Sequence, residues 1–141
     1  MINFHYETNF SLTPEETYQE WLQAIATSEE HDIAELNYIF CNDTYLHKIN
    51  VEYLNHDTYT DIISFDYTEN NEVAGDIFIS VERVRENAYT FEVTFHNELL
   101  RVMAHGLLHL CGYRDKTNEE ETLMRSKEEE KIKMFHGEPN I

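Results

Sequence analysis

Apolar and polar side chains alternate from Ile2 to about Thr8, the period of a strand with one buried face. The period changes at Ser11-Leu12-Thr13-Pro14-Glu15-Glu16. There Thr13 can cap a helix, Pro14 suits its first position and Glu16 completes a capping box. Tyr18, Trp21, Leu22 and Ile25 follow at helical spacing. Ile33 to Phe40 reads as a second strand and Asp43 to Leu54 as a short helix. Thr60 to Asp66 and Val73 to Ser80 are rich in strand formers, and the polar turn Glu69-Asn70-Asn71-Glu72 suits a hairpin between them. The rest is helical in pattern: Val81 to Asn87, about Phe91 to Leu110, and about Asn118 to Phe135, with a loose tail after Met134. Strands early and helices late predict an α+β (mixed α/β) domain, with a single sheet of about four strands packed against helices. The 141 residues show neither repeat nor linker and fit one domain over 1–141.

Charge changes the picture. Asp and Glu number 28 against 10 Lys and Arg, a formal net charge of −18. Such a surface repels the phosphate backbone of nucleic acids, so binding them requires a local basic patch. Cys41 and Cys111 are too few and too far apart for a disulfide framework or a cysteine-rich zinc site. The start of the chain lacks a basic, apolar leader, and no run approaches the ~20 apolar residues of a membrane span. A cytoplasmic protein without membrane association is expected.

The candidate chemistry lies in His105-Gly106-Leu107-Leu108-His109-Leu110-Cys111-Gly112-Tyr113-Arg114-Asp115. His105 and His109 are four apart and share a helix face. Gly112 can take the left-handed conformation that ends a helix and turns the chain back, which brings Asp115 round as a third ligand. Two imidazoles and a carboxylate would hold one Zn2+ per chain, at the end of a core helix, with a position left open. The spacing is shared with metzincin proteases, which carry a glutamate general base directly after the first histidine. Here that residue is Gly106, which cannot accept a proton.

The segment resembles the YbeY endoribonuclease signature His-Gly-x-Leu-His-Leu-x-Gly-Tyr-Asp-His, matching at His105, Gly106, Leu108, His109, Leu110, Gly112 and Tyr113. Thr60-Asp61-Ile62-Ile63-Ser64-Phe65 and Gly75-Asp76-Ile77 resemble two strands of that family, and Asn50, Glu98, Met124 and Glu128 to Glu130 sit where it places like residues. The resemblance covers about residues 35 to 135. It implies single-strand-specific, zinc-dependent cleavage of RNA in 16S rRNA 3′-end maturation and ribosome quality control. Partners would be ribosomal RNA and the small subunit or its assembly factors. Two departures stand out. The family's third ligand is usually histidine, where this chain has Asp115; the lower charge should weaken the pull on an anionic substrate. The family's upstream arginine, implicated in activity, is replaced by Leu54.

Candidates for the remaining roles are Arg101 and Arg114 as phosphate contacts and Asp61 as a strand-end group near the metal or a plain strand cap. Glu98, seven residues before His105, is either an acceptor for a ligand imidazole or a solvated acid at the helix start. Cys111 reads as core and Tyr113 as packing with a hydroxyl able to touch substrate. Lys48, Arg83 and Arg85 read as surface cations that a groove could recruit. Glu128 to Glu130, with Lys127, Lys131 and Lys133, reads as a solvated helix face. Two other functions stay open: a ribosome-assembly module with structural zinc, and a metzincin-like hydrolase.

Overall fold

The computed structural model describes residues 1–56 and 60–137. The order of elements is β1 (Ile2–Tyr6), α1 (Glu15–Ser28), β2 (Asp32–Cys41), α2 (Asp43–Leu54), β3 (Ile62–Asp66), β4 (Glu72–Ser80), α3 (Val81–Thr90), α4 (Phe95–Leu110) and α5 (Asn118–Phe135). The sheet runs β1-β2-β4-β3. The first three strands are mutually parallel and β3 is antiparallel to β4, so the expected hairpin forms. This is the α+β domain the pattern predicts.

Alternation along the strands divides the interior in two. Leu36, Tyr38 and Phe40 of β2 and Ile77 and Ile79 of β4 join Trp21, Leu22 and Ile25 of α1 and Leu99, Leu100, Met103 and Leu107 of α4 in the main core. Ile63 meets Cys41 and Leu46 on the opposite face, beneath α2. Helix α4 is therefore the central helix of one layer, with most of its residues buried. Two glycines let it lie close. A Cβ on Gly106 would stand 3.0 Å from Ile62 Cδ1 and from Ile77 Cδ1 and Cγ2. A Cβ on Gly75 would stand 2.6 Å from the Phe65 carbonyl oxygen and 2.8 Å from Leu110 Cδ1. Because the first obstacle is backbone, Gly75→Ala should destabilise the domain by about 2 kcal/mol, measured by urea unfolding. An unchanged midpoint would mean that β3 yields freely.

Four local expectations change. Thr13 does not cap α1: Pro14 occupies the cap position in extended conformation without a side-chain bond, and the helix starts at Glu15. Glu15 instead accepts from the Tyr6 hydroxyl at 2.7 Å. The segment from Phe91 is not yet α4. Glu92 has φ 57°, and α4 begins after Thr94, whose side chain accepts from the Asn97 amide. The tail is packed beyond Met134, since Phe135 stacks edge-on against Trp21 at 5.4 Å; residues 138–141 lie outside the described part. Nor is the last helix face wholly solvated: Glu128 and Lys131 are buried. Lys131 Nζ donates to Ser28 Oγ at 2.9 Å and to Glu29 Oε2 at 2.7 Å, joining the end of α1 to α5. Among the described residues, no helix is long and apolar enough to cross a membrane.

Candidate metal centre and cleft

Helix α4 ends in a Schellman motif. The Tyr113 amide donates to the Leu108 carbonyl at 3.0 Å and the Gly112 amide to the His109 carbonyl at 3.0 Å, with Gly112 at φ +104°. Five residues after Gly112, α5 opens with a capping box in which Thr117 Oγ1 accepts from the Glu120 amide and Glu120 Oε1 accepts from the Thr117 amide. The bridge between these two caps carries Asp115. Its carboxylate faces the imidazoles of the preceding helix.

The three candidate ligands converge. His105 Nε2 lies 3.0 Å from His109 Nε2, and Asp115 Oδ2 lies 3.4 Å and 3.3 Å from the same two nitrogens. Tetrahedral zinc with bonds of about 2.0–2.1 Å holds its ligand atoms about 3.3 Å apart. The outer ring nitrogens fix the tautomers. His105 Nδ1–H donates to Glu128 Oε2 at 2.6 Å, and His109 Nδ1–H donates to the Tyr113 carbonyl at 2.9 Å. In the neutral imidazoles these bonds leave each Nε2 lone pair facing inward. Three electron-rich atoms this close repel unless positive charge lies among them. The donor set thus fits a cation, and the group could hold a metal ion.

Glu128 is the acceptor for a candidate-ligand imidazole, and Glu98 is not. Glu98 is buried and holds Arg101, accepting from its Nε at 3.0 Å. Arg101 Nη1 reaches Glu128 Oε1 at 3.2 Å and Nη2 lies 4.0 Å from Asp61 Oδ2. Burial opposes the guanidinium charge, yet Glu98 and Glu128 outweigh it and lift the pKa above the ordinary arginine value. Burial also raises the Asp61 carboxyl above the usual range, with Arg101 countering. Arg101 therefore ties three carboxylates together beside His105. Glu128 escaped the sequence reading because an acidic run on a polar helix looks solvated. Its spacing from Met124 and Lys131, four residues before and three after, marks one inward face in retrospect.

An open cleft of about 910 Å3 lies on one side of the centre, between β3, the end of α2 and the loop after α4. Asp61, Arg101, His105, His109, Arg114 and Asp115 all line it, as do Leu54, His56 and Lys116. A second cleft, lined by Arg125 and Thr122, shares Arg101, His105 and Asp115 with the first. Arg114 is exposed at the mouth. The cations read as groove candidates lie elsewhere. Arg83 pairs with Asp43 at 2.7 Å, Arg85 covers the Phe95 ring at 4.9 Å, and Lys48 lines a separate aromatic groove. The Tyr113 hydroxyl does not turn to the cleft; it donates to Glu29 Oε1 at 2.6 Å. Cys111 packs against the main core, and burial lifts its thiol to about 12. The contacts of Gly106 also bear on the metzincin comparison. A side chain there would point at Ile62 and Ile77.

Fold and site together define a class: a single-sheet α+β domain in which a buried helix and the loop beyond it present two histidines and a carboxylate to an open cleft. A family model described as endoribonuclease YbeY matches residues 2–136. The chain belongs to the endoribonuclease YbeY family. A Flavobacterium johnsoniae protein of that description is 65% identical over 138 residues, spanning 98% of this chain and 99% of its own. One from Flavobacterium psychrophilum is 56% identical over 140 residues, spanning 99% and 100%. The solution structure of TM1509 from Thermotoga maritima shares the fold with a TM-score of 0.70 at 28% sequence identity, over 97% of this chain and 90% of that one.

Proposed function

We propose that the chain is a zinc-dependent endoribonuclease that cuts single-stranded RNA, acting in the cytoplasm on the 3′ end of 16S ribosomal RNA and in ribosome quality control. Residues 1–141 would form one catalytic domain. Family membership supports the reaction class. The observation that carries the reading is the convergence of three lone-pair atoms within 3.4 Å, with both outer ring nitrogens already committed.

His105, His109 and Asp115 would hold the zinc. When bound, zinc supplies Lewis-acid polarisation of a phosphoryl oxygen and a nucleophile at neutral pH. The protein's own contribution is placement. Glu128 and the Tyr113 carbonyl keep each imidazole in one tautomer and one orientation, so the centre needs no rearrangement when substrate arrives. Arg101 neutralises part of the buried carboxylate charge behind His105 and limits its repulsion of a phosphate. Arg114 and Lys116 at the mouth are the cations placed to meet the RNA backbone, within a surface otherwise hostile to it. They take the place of the arginine absent at Leu54.

The test is cleavage of a single-stranded RNA before and after exhaustive chelation. Activity should vanish with the metal and return at about one equivalent of Zn2+ per chain. Undiminished cleavage by the metal-free protein would refute the proposal.

A further inference from the structure

Helix α5 grips both imidazoles, one directly and one at a distance. Glu128 holds His105. One turn of the same helix also carries Lys127 and Lys131, whose ammonium groups lie 3.3 Å and 2.7 Å from Glu29 Oε2. The other oxygen of Glu29 accepts from the Tyr113 hydroxyl at 2.6 Å. Tyr113 in turn presents its carbonyl to His109 and stands two residues before Asp115. Lys131 is fully buried. Burial would raise the Glu29 carboxyl, but the bonds from Lys131 and Tyr113 prevail and lower it below the usual range. A buried ion pair adds little net stability over an apolar pair, while it fixes geometry strictly. What this one fixes is the ring of Tyr113, over which Lys127 also sits at 5.8 Å.

We infer that Tyr113 is a positioning residue for the metal centre, anchored by Glu29, Lys127 and Lys131, which sets the His109 imidazole and the Asp115 carboxylate through its own backbone. Its backbone is pinned twice: by the Schellman amide bond on one side and by the hydroxyl on the other. Releasing the hydroxyl frees the carbonyl to rotate, so His109 loses its fixed acceptor and Asp115 its fixed approach. Glu29 keeps both lysines in that event, so the fold is spared. The inference rests on His105, His109 and Asp115 being a zinc site.

Tyr113→Phe removes only the hydroxyl. Zinc affinity, measured by chelator competition on the full chain, should fall about tenfold or more. The melting temperature of the zinc-free protein should fall by no more than about 4 °C. Affinity within twofold of wild type overturns the inference. So does a larger drop in melting temperature, which would make the hydroxyl a general support of the fold. His105→Ala serves as the reference for a broken site. If wild type bound zinc no better than that variant, the zinc reading itself would fail and the inference with it.

Discussion

His109→Ala is expected to reduce cleavage of single-stranded RNA by at least about a thousandfold, with stoichiometric zinc lost in parallel. Lewis-acid catalysis is worth several kcal/mol, and each 1.36 kcal/mol is tenfold in rate, so three decades is the modest end. Two ligands, His105 and Asp115, would remain 3.4 Å apart, too few to keep an ion against solvent. The fold should be little affected. The His109 side chain is 30% exposed at the last turn of α4, and its removal strands no buried charge. Cleavage and metal content measured on one preparation check the expectation. Residual activity near wild type with zinc absent would place the chemistry outside this centre.

Arg101→Met is expected to act on stability more than any ligand change. The side chains of Glu98 and Glu128 are each 2% exposed and share this guanidinium. Methionine preserves much of the volume and none of the charge. Two buried carboxylates then lose their shared cation, and breaking a buried pair in this way costs about 3–5 kcal/mol. For a domain of this length the melting temperature should drop on the order of 10–15 °C. Adding Glu98→Gln should recover part of the loss by removing one of the stranded charges. A single variant melting within about 3 °C of wild type would put the cost at about 1 kcal/mol, several-fold below the cost of a broken buried pair, and would overturn the expectation.

The elements were legible where periodicity is strong. The four strands and α2 and α5 fall close to their predicted bounds because burial follows the alternation or the 3.6-residue stripe. The convergence of the three candidate ligands was legible for a local reason: all three lie within eleven residues at one helix end, and Gly112 announces the reversal. What escaped was long-range. Glu128 meets His105 across 23 positions, and Glu29 meets Tyr113 across 84. No local spacing encodes those meetings. The same limit hid Lys131, which follows three glutamates in sequence while its amine meets the end of α1 in space. At Pro14 local chemistry was itself misleading. A good capping sequence was present, but the helix starts one residue later than it implies, so Pro14, which has no side-chain acceptor, fills the cap position in place of Thr13.

The short bridge from Gly112 to Thr117 is fastened at each end and bears Asp115 between its fasteners. One added residue lengthens a chain by up to about 3.5 Å. That exceeds the whole span between the carboxylate and either imidazole nitrogen. Insertions and deletions in this stretch should therefore be purged wherever the ion is needed. Coordination chemistry would then act here as a ruler for the gene.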